Sequence, residues 1–108
     1  MDQQTRQLYR KKADVIQALA HPLRLAIVDF LGGGEQCVCD ITRHVGAQRS
    51  NVSRHLALML KAGIVDSRKD GLRVIYSLRT QCVGQFLSCV SGMLRERGQA
   101  DQELLRKL

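Results

Sequence analysis

Apolar residues recur at helical spacing in the first third of the chain. Between residues 22 and 31 they stand at i, i+3, i+4, i+7 and i+8, and Pro22 occupies a first-turn position that suits proline. An earlier apolar stripe consists of Leu8, Val15, Ile16 and Leu19. The two stripes predict two helices that meet at His21 and Pro22, and the run Gly32-Gly33-Gly34 then ends the second helix.

Two further helices are predicted between Asp40 and Gly63. The first carries Asp40 in its opening turn and ends at Gly46. The second runs from Arg49 to Ala62 and has an apolar stripe of Val52, Leu56, Met59 and Leu60. Its polar face consists of Arg49, Ser50, Ser53 and Arg54, with Asn51 and His55 at the edge. This is the helix-turn-helix pattern, in which such side chains reach phosphates and base edges of a DNA major groove.

From Ile64 onward the apolar period changes to that of a strand. Asp70-Gly71 is a turn dipeptide, and Val74, Tyr76 and Leu78 then alternate with other residues. The pattern predicts a β-hairpin whose tip is basic and carries Arg68, Lys69 and Arg73 as further DNA-binding residues. A hairpin directly after a helix-turn-helix is a wing. The predicted fold is therefore mainly α with a β-hairpin wing, a winged helix-turn-helix.

The last helix, from about Gln81 to Arg97, has an apolar stripe wider than a small core can cover. The stripe consists of Val83, Phe86, Leu87, Val90, Met93 and Leu94. We expect a homodimer that forms through the first and last helices. The tail from about residue 98 is polar and is expected to fray, although Leu104, Leu105 and Leu108 could extend the interface.

Composition limits the classes of protein that remain. A length of 108 residues, 44% hydrophobic and 25% charged, predicts a single domain over residues 1–108. No apolar run reaches the roughly 20 residues of a membrane span, and residues 1–12 lack the apolar core of a secretory signal, so we expect a cytoplasmic protein with no membrane partner. The chain has no phosphate loop, dinucleotide fingerprint or Ser/His/Asp arrangement, so we do not expect an enzyme.

Positive charge is concentrated in the middle of the chain. Lys and Arg number 17 against 10 Asp and Glu, for a net charge of +7. Between residues 41 and 79 eight basic residues face two acidic ones, so this segment alone carries +6. A basic segment on a nearly neutral scaffold is typical of a polyanion binder, although a merely solvated basic face is the alternative. Combined with the helix-turn-helix, it favours double-stranded operator DNA as a partner.

Four cysteines carry the candidate chemistry, and without an export signal we expect them to be thiols. Cys37 and Cys39 precede a helix N-terminus, where the helix dipole and Arg43 favour thiolate, so the pair could chelate a soft ion. Cys82 and Cys89 are about 10.5 Å apart along their helix and cannot bridge each other. Either could supply a third sulfur from either subunit, and packing is an equal alternative for Cys89.

Three histidines have simpler predicted roles. His55 lies beside Arg54 on the second helix of the motif, where we expect it to contact a phosphate. His44 is expected to be a solvated helix residue, and His21 to cap its helix.

Five segments together resemble the arsenic-responsive ArsR/SmtB family of repressors over residues 13–95. They are Leu19-Ala-His-Pro-Leu-Arg-Leu25, Glu35-Gln-Cys-Val-Cys-Asp-Ile41, Asn51-Val-Ser-Arg-His-Leu56, Ala62-Gly-Ile-Val65 and Ile75-Tyr-Ser-Leu78. The resemblance implies a homodimeric winged-helix repressor that leaves its operator when a metal, metalloid or sulfur oxidant engages a sensor site. The Cys-Val-Cys-Asp segment resembles the family's metal-binding box at the start of the third helix.

The chain departs from three of the family's patterns. One version of the site is completed by cysteines from the N-terminal tail of the partner subunit, but residues 1–36 contain no cysteine. The arsenite version of the box has a third cysteine where this chain has Thr42. The family's zinc site in the last helix falls on Thr80, Cys82, Met93 and Glu96, of which only two could bind metal. A zinc or cobalt sensor of that type is therefore not expected.

The sequence thus predicts a DNA-binding transcriptional repressor with a metal site drawn from Cys37, Cys39, Cys82 and Cys89. DNA binding itself should need no cofactor. Trivalent arsenic or antimony is the first choice of inducer and Cd or Pb the second, because soft thiolates select such ions. A thiol-redox or sulfide-sensing repressor is the alternative that needs no third ligand. The competing classes are a protein-binding winged helix, which would not need the outward Arg, Ser and Asn face, and a thiol oxidoreductase, whose Cys-x-x-Cys pattern is absent.

Overall fold

The computed structural model describes residues 1–107 of the chain. Its elements in chain order are α1 (Gln3–Leu19), α2 (Pro22–Leu31), β1 (Gln36–Cys37), α3 (Val38–Val45), α4 (Arg49–Lys61), β2 (Val65–Asp70), β3 (Arg73–Leu78), α5 (Cys82–Arg97) and α6 (Gln99–Leu105). Within residues 1–107, no helix is long and apolar enough to cross a membrane. The predicted succession of helices and hairpin is confirmed.

Three strands of the described residues form an antiparallel sheet in the order β1-β3-β2. In the hairpin Val65 pairs with Leu78 and Asp70 with Arg73, so the connecting residues are Gly71 and Leu72. The expected turn at Asp70-Gly71 is therefore one residue too early. Gly71, with φ of +64°, provides the left-handed conformation that the tight turn needs. Strand β1 was not predicted, because two residues are too few to show a period.

The core lies between α2, α3, α4 and the base of the sheet. Its fully buried members include Ile27, Leu31, Ile41, Val52, Leu56, Met59, Ile64 and Val65. Most of the predicted inner stripe of α4 is thus confirmed. Leu60 is the exception, since it is 36% exposed.

The outer helices α1 and α5 contribute little to this core. Large apolar side chains remain exposed on both: Leu8, Tyr9, Val15 and Ile16 on α1, and Phe86, Val90 and Met93 on α5. The tail does not fray at residue 98 as expected. Gln99–Leu105 form α6, where Gln102 Nε2 donates to the carbonyl oxygen of Arg95 (2.7 Å). Leu108, named above as a possible part of the interface, lies outside the described residues.

Candidate nucleic-acid interface and thiol site

The two helices α3 and α4 form a helix-turn-helix. Gly46 ends α3 in the left-handed conformation (φ 68°, ψ 28°), and Gln48 is the N-cap residue of α4. On the outer side of α4 the side chains predicted to reach DNA are exposed: Arg49, Ser50, Ser53 and Arg54. Asn51 is half-buried, and its Oδ1 accepts a hydrogen bond from Arg54 Nη2 (2.7 Å). This surface is open, polar and positively charged.

The expected phosphate contact of His55 is wrong. The His55 side chain is 6% exposed and faces inward with Val52, Leu56 and Met59. Its Nδ1 accepts a hydrogen bond from Arg24 Nε (2.9 Å). One residue after Arg54, the helix has rotated by about 100°, which turns His55 from the outer face to the core.

The other two histidines lie at helix boundaries. His21 caps α2 as predicted, because its Nδ1 accepts from the backbone N–H of Leu23 (3.1 Å). His44 is exposed, but its ring stacks on that of Phe30 with 4.0 Å between ring centroids. His44 is therefore a solvated residue with one packed face.

In the wing, two of the basic residues are held by carboxylates. Arg68 forms a bidentate ion pair with Glu35, with distances of 3.0 and 3.1 Å from Nε and Nη2 to the carboxylate oxygens. Arg79 Nε and Nη2 both donate to a single carboxylate oxygen of Asp66, Oδ1 (3.0 and 2.8 Å). The Arg68 guanidinium holds the pKa of the Glu35 carboxyl below its ordinary value through this hydrogen bond and its charge. Lys69 and Arg73, nearer the tip, are exposed.

The cysteines of the Cys-x-Cys segment are joined as a disulfide, whereas thiols were expected. Cys37 is extended at the end of β1 and Cys39 lies in the first turn of α3. This change of direction leaves their Cα atoms 5.3 Å apart, within the range of a disulfide. The proximity that suits a chelate also suits a bond between the two sulfurs.

Cys37 connects the wing to the helix-turn-helix. As a residue of β1 it pairs with Ile75 of β3, and it is only 2% exposed. As the N-cap of α3 it accepts the backbone N–H of Asp40 on its Sγ (3.2 Å). Arg43, expected to favour the thiolate, instead pairs with the Asp40 carboxylate (3.0 Å). Cys37 therefore belongs to the sheet through its backbone and to the end of α3 through its sulfur.

Sulfur and carboxylate ligands come together at this point. One ligand atom each from Cys37, Cys39 and Asp40 lies within 4.8 Å of the others. Cys82 and Cys89 are exposed on α5, without a disulfide in residues 1–107, and neither belongs to this group. The hydroxyl of Thr42, one turn after Cys39, is buried and has no hydrogen-bond partner among the described residues.

These features define the class of protein. A helix-turn-helix followed by a two-stranded wing, with an outward polar and basic face on the second helix, is a winged helix-turn-helix DNA-binding domain.

Comparison with known proteins places the chain in a family of this class. Residues 21–67 match the family model described as "Bacterial regulatory protein, arsR family". An uncharacterized HTH-type transcriptional regulator of Mycobacterium tuberculosis is 33% identical over 88 residues, which are 81% of this chain and 77% of that protein. The arsenical resistance operon repressor of Staphylococcus xylosus is 31% identical over 70 residues, 65% of this chain and 67% of that protein.

A solved structure agrees with these matches. The homodimeric winged helix-turn-helix domain of a possible ArsR-family regulator from Mycobacterium bovis superposes with a TM-score of 0.79 at 28% identity, over 89% of each chain. The chain therefore belongs to the ArsR family and is a transcriptional repressor. Because the family consists of DNA-binding regulators, the prediction that the chain is not an enzyme is confirmed.

Proposed function

We propose that this repressor senses a soft ligand at the Cys37–Cys39 pair and then leaves its operator. The proposal rests on the double role of Cys37, whose backbone belongs to the wing sheet and whose Sγ caps the first helix of the helix-turn-helix. A ligand that draws Sγ away from the Asp40 N–H would uncap α3 and strain the pairing of β1 with β3.

The loss of DNA affinity that induction requires favours a mechanism that acts on both the N-cap of α3 and the wing sheet. A 100-fold loss of DNA affinity needs about 2.7 kcal/mol of coupling between the two sites. Loss of one helix N-cap costs about 1 kcal/mol. Uncapping α3 is thus insufficient alone, and displacement of the wing strand would have to supply the remainder.

Trivalent arsenic or antimony is the proposed inducer. The reduced pair offers two soft sulfurs beside the Asp40 carboxylate, and each As–S bond formed from arsenite releases one water. Cys39 is half-buried and Cys37 fully buried, so we expect Cys39 to bind first. The third donor would be Cys82 or Cys89 of either subunit. Similarity to an arsenical resistance operon repressor supports this choice, and Cd or Pb is the second choice.

DNA recognition is assigned to α4 and the wing tip. Arg49, Ser50, Asn51, Ser53 and Arg54 would enter the major groove, while Lys69 and Arg73 would contact phosphates. Arg68 is available only where its ion pair with Glu35 opens.

The functional unit is proposed to be a homodimer through α1 and α5. Both helices leave large apolar side chains in water, and Met93 is 64% exposed. An apolar face of this extent on a small domain indicates an interface. Two recognition helices related by a two-fold axis would read half-sites about 10 bp apart or a multiple of that spacing.

Serine variants test the sensor cleanly. Serine is a good N-cap residue, so Cys37→Ser should preserve α3 and operator binding while removing the sulfur. We expect Cys37→Ser and Cys39→Ser to bind operator DNA like the parent under reducing conditions and to remain bound when arsenite, antimonite or cadmium is added. Normal release from the double variant, measured by fluorescence anisotropy, would reject the pair as the sensor and redirect attention to Cys82 and Cys89.

Further substitutions identify the third donor. Of Cys82→Ser and Cys89→Ser, the one that removes the third ligand should weaken induction, and the other should be nearly silent. Thr42→Cys should place a third sulfur one turn from Cys39, where the unpaired hydroxyl now lies, and lower the arsenite concentration needed for release. An unchanged response of Thr42→Cys would indicate that the site does not extend along α3.

The disulfide between Cys37 and Cys39 supports a second candidate, a thiol-redox repressor. With hydrogen peroxide as oxidant, the two thiols would lose two electrons and two protons, forming one S–S bond and two waters. Anaerobic titration separates the candidates. Release by peroxide, reversed by dithiothreitol and insensitive to arsenite, would favour redox sensing, and release by arsenite without oxidant would favour the metalloid.

A further inference from the structure

His55 is a polar side chain buried on the helix that reads DNA. It occupies the inner stripe of α4, 6% exposed, among apolar core residues. A buried polar group costs free energy unless it is hydrogen-bonded, and a hydrophobic residue would fill the same space. A hydrogen bond from Arg24 compensates the burial of His55.

Arg24 connects His55 to the end of α1. Its Nε donates to His55 Nδ1 (2.9 Å) and its Nη1 donates to the carbonyl oxygen of Ala18 (3.0 Å). Ala18 lies in the last turn of α1, where carbonyl groups lack partners within the helix. One guanidinium thus joins α2, α1 and the middle of α4.

The geometry fixes the protonation state of His55. Arginine can only donate hydrogen bonds, so Nδ1 must be an unprotonated acceptor and the proton of the neutral ring resides on Nε2. The ring of His21 lies 4.4 Å from that of His55, measured between centroids. A protonated His55 would direct an N–H at the Arg24 guanidinium and place a second cation beside it.

We propose that Arg24 and His55 are positioning residues for DNA recognition: their contact sets the angle of α4 against α1, and operator binding requires a neutral His55 that does not touch DNA. This inference rests on DNA binding by α4 and is independent of sensing by the cysteines. Because α1 also belongs to the proposed dimer interface, the same contact would fix the separation of the two recognition helices.

The surroundings of His55 determine the direction of the pH effect. Burial lowers its pKa below the ordinary 6.5, and His21 and Arg24 at the α1–α2 junction and Arg54 on α4 act in the same direction. Each of these groups therefore disfavours a protonated His55. Operator affinity should therefore fall as the pH drops through this lowered pKa of His55, and for one linked proton the loss approaches about tenfold per pH unit below that pKa.

The sign of this dependence separates the proposal from a phosphate contact. A histidine on a phosphate would bind DNA more tightly as it gains a proton, so affinity would rise in acid. The experiment measures operator affinity between pH 7.5 and 5.5 at constant ionic strength, with circular dichroism confirming the fold at each pH. All variants are made in a His44→Gln protein, called the background, because the exposed side chain of His44 would itself attract DNA in acid.

Two variants of His55 provide the matched comparison. In His55→Asn, Oδ1 can accept from Arg24 without titrating, so affinity at pH 7.5 should be nearly that of the background and the acid loss should disappear. In His55→Phe the acceptor is gone, and affinity should fall at every pH while remaining independent of pH. His21→Asn retains a side-chain cap for α2 and should leave the acid loss in place.

Different failures have different meanings. Affinity that rises in acid, or a His55→Phe protein with the background's affinity and pH profile, would overturn the positioning role. An acid loss that persists in His55→Asn would also overturn it. Absence of sequence-specific binding at every pH would instead contradict the DNA-recognition assignment of α4.

Discussion

The outer face of α4 and the wing are both basic, but they use their charges differently. On α4, Arg49 has no carboxylate partner among the described residues, and Arg54 is hydrogen-bonded only to the neutral Asn51. In the hairpin region, Arg68 and Arg79 are bound by Glu35 and Asp66. One surface is available to a ligand, and the other is partly neutralised within the protein.

This difference shows that a count of basic residues does not measure a DNA footprint. Residues 41–79 carry a net charge of +6. A basic side chain that is already paired with a carboxylate must break that ion pair before it can contact a DNA phosphate. Lys69 and Arg73 remain available near the wing tip. We therefore expect specificity to come from α4 and a smaller, uniform affinity contribution from the wing.

The largest effect should come from separating the subunits, because a monomer presents each surface only once. Phe86→Glu places a charge on the apolar face of α5, so it should give a monomer by analytical ultracentrifugation and lower operator affinity by orders of magnitude. The residual binding should still depend more on α4 than on the wing. Unchanged sedimentation and binding would mean that the interface lies elsewhere.

The next largest effect should come from the base-reading face. Arg49→Ala or Asn51→Ala should cost about 1 to 3 kcal/mol and relax specificity at one operator position, because a base contact is lost. Selection of binding sites from a randomised operator library would detect the relaxed position. An equal loss of affinity for all DNA sequences would indicate that Arg49 and Asn51 contact phosphates. The outer face of α4 would then not differ from the wing in its role.

Periodic segments were predictable from the sequence, and long-range side-chain contacts were not. The stripe of Val52, Leu56 and Met59 identified α4, because one helix face covers the core. The predicted phosphate contact of His55 on the same helix was wrong. A histidine at the edge of a polar face gives no local sign that Arg24, 31 residues away, holds it inward. Strand β1 was missed because its pairing partner is distant in sequence.

The closeness of Cys37 and Cys39 was predicted, but their disulfide and the neighbouring Asp40 carboxylate were not. Cys-x-Cys before a helix indicated the pair, and the turn from β1 into α3 explains both its closeness and its disulfide. The spacing of the cysteines could not indicate that Arg43 would form an ion pair with Asp40. Nor could it show whether α5 reaches the pair, because that depends on packing between helices.

At the wing, Arg73→Gln should weaken binding to all sequences alike. Loss of one phosphate contact should lower the salt dependence, the slope of log affinity against log salt, by about one and reduce affinity roughly threefold to tenfold. Titrations with operator and with unrelated duplex at several salt concentrations provide the comparison. A loss confined to the operator would give the wing a share in specificity and weaken the distinction drawn above.

The smallest effects should come from Arg68, and they test whether its ion pair matters. Arg68→Gln should change affinity less than Lys69→Gln, because within residues 1–107 Lys69 is not paired with a carboxylate, whereas Arg68 already neutralises Glu35. Glu35→Gln should release Arg68 and raise the affinity for all duplexes roughly twofold to threefold, with a steeper salt dependence. The lowered pKa of Glu35 keeps its carboxylate ionised from pH 6 to 8, so the effect of Glu35→Gln on affinity should be constant there and vanish only as acid protonates Glu35.

Asp66→Asn is the matched control for Glu35→Gln, since it frees Arg79 at the base of the hairpin, away from the tip. If Asp66→Asn raises affinity as much as Glu35→Gln, the gain reflects removal of a negative charge, and the Glu35–Arg68 pair does not limit the wing.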